Sequence, residues 1–214
     1  MVTLTEENKI EFFRFLNNDI SISELEKFIY SRTELEQQID NEIYINLISS
    51  DFTNKAKLDN LIKSRIIEIG QFETWKLKKV LNDFLAQPEK ADIYLNKLYH
   101  LYCGIYQDDG QRKYEYNFLG NLGLNYFFWA DEGYLRTMYG NNWETEYKKC
   151  LTEFRFYHEQ LKGFAIEILL ALDNKDIKIF NDGTYRITEN LKNKLETDQI
   201  YQLNHAVNKA YNKS

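Results

Sequence analysis

Apolar residues recur at helical spacing along most of the chain, and residues that break helices are scarce. The clearest run is Leu35, Ile39, Ile43 and Leu47, in which every step is four residues. This spacing places side chains on one face of an α-helix. The chain has a single proline, Pro88, and nine glycines, which is atypical of β-sandwiches and of disordered linkers. The sequence therefore predicts a mainly α-helical protein.

Capping residues divide this helical pattern into segments. Thr5 stands before the first apolar run, while Ser23 with Glu26 and Thr33 with Glu36 have the spacing of a capping box. In such a box the Ser or Thr side chain accepts from the backbone N–H three residues on. The Glu side chain accepts in return from the backbone N–H of the Ser or Thr. We expect separate helices to begin at these points.

The second half of the chain predicts a long helix followed by a β-hairpin. The helix runs from Trp143 to Leu172, and Gly163 is a point where it bends or splits. Two short β-forming runs, 177–180 and 184–187, then flank a loop that ends in Gly183. A short loop with a final glycine is typical of hairpins.

The length of 214 residues allows one domain or two small ones. The predicted fold class is mainly α, a multi-helix single domain over residues 1–214 with one short β-hairpin near residues 177–187. The pattern also permits a subdivision near residue 141. It would separate an N-terminal helical bundle, 1–140, from the long helix, hairpin and C-terminal helices of 141–214.

Residues 98–143 concentrate aromatic side chains and glycines. Ten aromatic residues lie between Tyr114 and Trp143, about twice the density of the whole chain. One interpretation is a core plug, in which short helices and turns fill a gap between longer helices with rings. The other is a partner-binding patch, since Tyr and Trp are enriched at interface hot spots. The two interpretations are compatible.

The charge and the apolar runs limit the partners and the compartment. The net charge is −6, whereas a nucleic-acid backbone requires clustered Lys and Arg, so no nucleic-acid partner is expected. An acidic surface suits a basic protein partner. There is no run of about 18 apolar residues and no basic segment leading into an apolar core near residue 1. We expect a cytoplasmic protein without a membrane partner, in which Cys103 and Cys150 are reduced.

Residue types that carry catalysis or bind metals do not form a recognised motif. His100 and Cys103 are one helical turn apart, but a Cys-His dyad needs a third orienting group, and helical packing accounts for the pair. Asp108-Asp109-Gly110 lacks the alternating oxygen ligands of a calcium loop, and a turn accounts for it. No zinc-type spacing or phosphate-binding glycine loop is present. We therefore predict no enzyme, no catalytic residue, no cofactor and no metal.

The hairpin and the segment after it, residues 183–196, are similar to the wing of winged-helix DNA-binding proteins. This similarity implies a transcriptional regulatory or other interaction module as the alternative function. Asn190 stands where the wing pattern usually has glycine, and one long helix precedes the hairpin in place of a helix-turn-helix. The acidic net charge also disfavours DNA.

Two segments, residues 15–52 and 98–126, together resemble small cytosolic bacterial proteins of helical families. Some of these are encoded beside polymorphic or contact-dependent toxins as their immunity proteins. The insertion from Asp108 to Tyr114 departs from the tighter spacing of that pattern. The positions that match are Ile22, Ser23, Glu26, Phe28, Ile29 and Tyr30 in the first segment, and Tyr116, Phe118, Leu119, Leu122, Gly123 and Leu124 in the second.

The resemblance implies an immunity protein that is not an enzyme and that neutralises a cognate toxin by occluding its active site. Such toxins are commonly basic nucleases, of which a ribonuclease is one example. We expect the contacts in and after the aromatic stretch, where turns between helices are exposed and acids stand beside aromatics. The predicted partner-binding residues are Asp108, Asp109, Asp131, Glu132, Tyr134, Tyr139 and Glu144.

Overall fold

A computed structural model describes residues 3–106 and 112–196, apart from the side chains of residues 128, 129 and 152–157. Helix predominates in these residues, which confirms the mainly α fold class. The α-helices are α1 (Glu6–Leu16), α2 (Ile22–Ser31), α3 (Leu35–Gln38), α4 (Asn41–Ile48), α5 (Lys55–Leu61), α6 (Ile69–Ala86), α7 (Ala91–Cys103), α8 (Gly120–Ala130), α9 (Glu132–Tyr139), α10 (Trp143–Asp173) and α11 (Glu189–Leu195).

Shorter elements connect these helices. A π-helix, Ile62–Ile66, continues α5, and 3-10 turns occupy Pro88–Lys90, Asn117–Leu119 and Gly140–Asn142. The strands are β1 (Ile105–Tyr106), β2 (Arg112–Lys113), β3 (Ile177–Ile179) and β4 (Tyr185–Ile187). They form two antiparallel pairs, β1–β2 and β3–β4.

Contacts divide the chain into two compact units, Met1–Lys76 and Leu77–Ser214. The boundary falls inside α6. Residue 141, near which the sequence permits a subdivision, lies within the second unit.

The first unit has its own apolar core, to which α1, α2 and α4 contribute. Phe12, Phe15, Leu25 and Leu47 are fully buried in it. Thr5 caps α1, as predicted, because its side chain accepts from the backbone N–H of Asn8 at 3.3 Å. Three phenylalanines of this one short helix, Phe12, Phe13 and Phe15, are buried.

The N-cap of α2 lies before the predicted position. The hydroxyl of Ser21 accepts from the backbone N–H of Glu24 at 3.2 Å, and the Glu24 carboxylate accepts from the backbone N–H of Ser21 at 2.7 Å. Ser21 has extended backbone, with φ −77° and ψ 166°. Ser23 already lies inside the helix. The predicted box of Ser23 and Glu26 is therefore wrong, because a capping serine has to stand outside the helix.

The second predicted box, Thr33 with Glu36, is also wrong. The N-cap of α3 is Glu34, and no side chain makes a capping bond there. Backbone turns hold this short helix instead, through the N–H of Glu36 and the carbonyl of Thr33 at 3.3 Å. The side-chain cap falls at the next helix, where Asp40 accepts from the N–H of Glu42 at 3.0 Å.

The aromatic-rich stretch contributes to the core of the second unit. Tyr116 and Phe118 are both 0% exposed, and their rings are stacked with centroids 5.6 Å apart. Tyr185 of β4 packs edge-on against Phe118 at 5.0 Å. Leu119 and Leu122 are buried beside them. For these residues the core-plug interpretation is confirmed.

The long helix and the hairpin are both present. Helix α10 extends from Trp143 to Asp173, so Gly163 does not split it. In the hairpin Ile177 pairs with Ile187, and the turn is closed by a bond from the N–H of Phe180 to the carbonyl of Thr184 at 2.9 Å. The buried residues of β3 face the core of the second unit and fix this register.

The other strand pair, β1–β2, was not predicted. Ile105 pairs with Lys113 and Tyr106 with Arg112. Gly104, with φ +68°, turns the chain out of α7 into β1. The predicted turn at Asp108-Asp109-Gly110 lies outside the described residues.

Candidate functional site

The predicted partner-binding residues that the structure describes lie on α9 and on the first turn of α10. Asp131, Glu132, Tyr134 and Tyr139 belong to α9 and its cap, and Glu144 belongs to α10. Asp108 and Asp109 lie outside the described residues. The corner surface is the surface that follows the chain around the turn between the two helices. It consists of the exposed residues Glu132, Arg136, Tyr139 and Glu144 and the half-buried Trp143.

Asp131 shapes this corner as a helix cap. Its carboxylate accepts from the backbone N–H of Tyr134 at 2.8 Å, which satisfies one of the free donors at the start of α9. Gly140 then ends α9 with φ +54°. The capping bond is enough to explain why an acid stands at position 131, and no partner protein is needed for that explanation. Asp131 is therefore not counted in the corner surface.

Glu132, Arg136 and Trp143 form an ordered group at the surface. The Nε of Arg136 donates to the Glu132 carboxylate at 2.7 Å. The guanidinium carbon of Arg136 also lies 4.2 Å from the centroid of the Trp143 ring, a cation–π arrangement. The side chains of Glu132 and Arg136 are more than half exposed. An arginine fixed over a tryptophan presents a planar cation and an aromatic edge in one orientation.

The two predicted tyrosine anchors differ in exposure. Tyr134 is half-buried, and its ring packs against Phe127 with centroids 5.0 Å apart. Tyr139 is 48% exposed. Partial burial, reinforced by the carboxylate of Glu146, raises the pKa of the Tyr139 hydroxyl, so this hydroxyl remains a neutral donor near neutral pH. Tyr139 is therefore the better anchor.

Arg136 and Trp143 are not among the partner-binding residues predicted from the sequence. The Glu132–Arg136 pair has i, i+4 spacing, which is readable from sequence on any helix. The contact with Trp143 was not readable, since it depends on the angle at which the Gly140–Asn142 turn directs α10. Glu144 lies in the first turn of α10 and is exposed, with no salt bridge to another described residue.

The acidity of the chain is unevenly distributed. Residues 1–76 hold 14 acidic and nine basic residues, a net charge of −5, whereas residues 77–214 hold 19 acidic and 18 basic, a net charge of −1. At the corner the carboxylate of Glu132 is already bonded to Arg136. The acidic character that the sequence associated with this corner is thus carried mainly by the first unit.

The described histidines and cysteines of the second unit differ in burial. His158 is 3% exposed, its Nε2 lies 2.9 Å from the carbonyl oxygen of Phe84, and its ring packs on the Phe84 ring at 4.7 Å. Cys150 is buried, and His100, one turn from Cys103, is exposed. A hydrogen bond links Cys103 to Tyr99, and burial raises the pKa of Tyr99.

The described residues include metal-ligating side chains and long helices. No group of three or more His, Cys, Asp or Glu side chains among them has an arrangement that holds a metal ion. In the same part of the chain, every helix is too short or too polar to cross a lipid bilayer.

Comparisons with known proteins add no relative: the chain matches no protein-family model, no curated protein and no solved structure.

Proposed function

We propose that this protein is a cytoplasmic bacterial immunity protein, which binds a cognate toxin domain and neutralises it by covering the active site. The resemblance of residues 15–52 and 98–126 to such families supports the proposal. In this proposal the protein is a binding protein without catalytic activity of its own. The partner is a basic protein, for which a nuclease is the favoured class.

The observation that carries the proposal is the corner surface. Interface hot spots are enriched in Trp, Tyr and Arg, and the corner has one of each, Trp143, Tyr139 and Arg136. The Arg136 guanidinium is held between the Glu132 carboxylate and the Trp143 ring. A side chain held in place loses less conformational entropy on binding than a free one. The group therefore has the composition and the order expected of a binding surface.

The charge of the first unit supports a basic partner. A net charge of −5 on residues 1–76 attracts a cationic protein over distances of about 10 Å at 0.1 M salt. In this proposal the first unit contributes to the association rate, and the corner surface contributes to the lifetime of the complex.

Co-expression tests the proposal directly. The experiment uses the C-terminal domain of the protein whose gene lies immediately upstream of the gene for this protein. That domain is expressed in bacteria with and without this protein, and bacterial growth is followed. We expect the domain to be toxic alone and harmless in co-expression, and the two proteins to elute together from a sizing column. Toxicity that co-expression does not relieve would contradict the proposal for that pair.

Two variants then test the corner surface itself. Tyr139→Ala should weaken binding of the toxin domain by about 30-fold, the effect of a hot-spot residue worth about 2 kcal/mol. Met138→Ala is the matched control, because Met138 is 59% exposed on the same helix and is not part of the i, i+4, i+7 series of Glu132, Arg136 and Tyr139. Equal losses in both variants, or no loss in either, would exclude the corner as the binding surface.

A second candidate function rests on the hairpin. Lys178 of β3 is paired directly with Arg186 of β4, and both side chains are exposed. Like charges in directly opposite positions destabilise a strand pair, and an anionic partner bound at this face would relieve that repulsion. The exposed ring of Phe180 lies 5.4 Å from the Lys178 ammonium. Cations beside an aromatic ring suit a phosphate backbone, as in the winged-helix alternative.

The two candidate functions are separable by DNA binding. The winged-helix alternative requires affinity for random duplex DNA that falls steeply with salt concentration and that is lost in Lys178→Ala. The immunity proposal requires no such affinity. A fluorescence-anisotropy titration at low and high salt distinguishes them.

A further inference from the structure

The first unit contains a cavity of about 380 Å³ between α1, the π-helix and the start of α6. Small-molecule sites typically measure about 300 to 1,000 Å³ and combine apolar walls with a few polar groups. This cavity has both kinds of lining, and its apolar lining includes Phe13, Ile66 and Ile67, while its polar lining includes Lys9, Ser64 and Arg65.

The apolar wall of the cavity is fixed by the core. Phe13 packs against Phe72 and Trp75, with both pairs of ring centroids 5.7 Å apart. The N–H of Ile67 donates to the carbonyl of Ile62 at 3.1 Å, the i, i+5 bond of a π-helix. Such π-turns are rare and are frequently found at functional sites. The π-helix buries Ile62, while its exposed residues Ser64 and Arg65 line the cavity.

The charged groups in the wall favour a ligand with one negative charge. Lys9 and Arg65 outnumber the single carboxylate, Glu68, although the first unit as a whole is acidic. Lys9 is paired with Glu6, whose side chain is 82% exposed, so a ligand can replace that acid at small cost. The ion pair between Arg65 and Glu42 spans 3.8 Å, longer than a hydrogen bond. The guanidinium therefore retains donors for another acceptor.

We propose that this cavity binds a small amphipathic monoanion, a carboxylate on an apolar chain or ring. The apolar body lies on Phe13, Ile66 and Ile67, and the carboxylate lies between the Lys9 ammonium and the Arg65 guanidinium. A dianion is disfavoured, because Glu68 stands in the same wall. This site is independent of the corner surface, since every residue that lines it belongs to the first unit.

Calorimetric titration with octanoate tests the proposal, and octan-1-ol serves as the uncharged comparison. We expect saturable binding of octanoate to the full chain, and weaker binding of octan-1-ol. Arg65→Gln should weaken the binding of octanoate by about fivefold, as expected for an exposed charge pair, and should leave the affinity for octan-1-ol unchanged. Lys63→Gln is the matched control, since Lys63 is an exposed cation on the same π-helix that does not line the cavity.

A filling variant locates the ligand. Ser64→Trp places a large ring at the exposed side of the cavity and should abolish binding of both probes, with the far-UV circular dichroism spectrum unchanged. Octanoate binding that survives Ser64→Trp, or that responds equally to Arg65→Gln and Lys63→Gln, would overturn the proposal. Failure of octanoate to bind at millimolar concentration would overturn it as well.

Discussion

Gly123 of α8 lies so close to Tyr99 of α7 that a Cβ on the glycine would stand 2.9 Å from the Tyr99 Cα. A contact under 3.0 Å with backbone cannot be relieved by rotating a side chain. The glycine is therefore what permits these two helices to pack at this distance. We predict that Gly123→Ala lowers the free energy of unfolding by about 1 to 3 kcal/mol, the usual cost of overpacking, as measured by urea denaturation.

Gly163 provides the matched control for this substitution. It too lies inside a helix, but a Cβ there would meet nothing within 4 Å. Alanine favours helix by about 1 kcal/mol relative to glycine, so Gly163→Ala should stabilise the protein. If both variants shift the unfolding midpoint in the same direction, close packing at Gly123 is not the reason for its glycine.

Glu24 predicts a dependence of stability on pH in the first unit. The hydrogen bonds from the backbone N–H and the hydroxyl of Ser21 lower the pKa of this carboxyl from its ordinary value of 4.5. Because folding lowers the pKa of Glu24, its ionised carboxylate stabilises the folded state. This stabilisation is complete above pH 4.5 and is lost as the pH falls through the pKa of Glu24 in the folded protein. The thermal unfolding midpoint of the wild-type protein should therefore be higher than that of Glu24→Gln at pH 7. The two midpoints should converge at acidic pH.

Tyr185 predicts the opposite dependence at alkaline pH. Burial, with a further contribution from its hydrogen bond to Glu196, raises the pKa of this hydroxyl well above its ordinary value of 10.0. Because folding raises the pKa of Tyr185, its neutral hydroxyl stabilises the folded state. This stabilisation is complete below pH 10.0 and is lost as the pH rises through the pKa of Tyr185 in the folded protein. Thermal unfolding between pH 8 and pH 11.5 should show a steeper loss of stability for wild type than for Tyr185→Phe. Phenylalanine keeps the ring contact with Phe118, so an equal loss in the two proteins would exclude Tyr185 as the cause.

Local signals in the sequence were sufficient for the helices and the hairpin. Leu35, Ile39, Ile43 and Leu47 are all buried, although Ile39 has extended backbone and the series is divided between α3 and α4. The hairpin at 177–187 was readable from a local signal as well: Gly183 takes φ +84° in its turn. The caps were harder to place. Ser21 and Ser23 both have an acid three residues on, and only the path of the chain before α2 decides between them.

The candidate site was less predictable than the fold. Asp131 and Glu132 are predicted contacts because they are acids at an exposed turn beside aromatics, yet one caps α9 and the other is bonded to Arg136. The position of Trp143 under Arg136 depends on the turn between two helices, which a single sequence does not specify. The β1–β2 pair joins two-residue strands, and so short a pattern has no periodicity to recognise.

The cross-strand pair of Lys178 and Arg186 allows a test in which stability should rise. The two cations stand opposite each other on the exposed face of the hairpin. Like charges in this position destabilise a strand pair, whereas an opposite-charge pair stabilises it by about 0.2 to 1 kcal/mol. Lys178→Glu converts repulsion into attraction and should raise the free energy of unfolding by about that amount, measured by urea denaturation at low salt. The gain should shrink at 1 M salt, where the screening length is about 3 Å. In an Arg186→Ala background the same substitution should give no gain. A gain that persists in that background would mean that Lys178 is unfavourable for a reason other than Arg186.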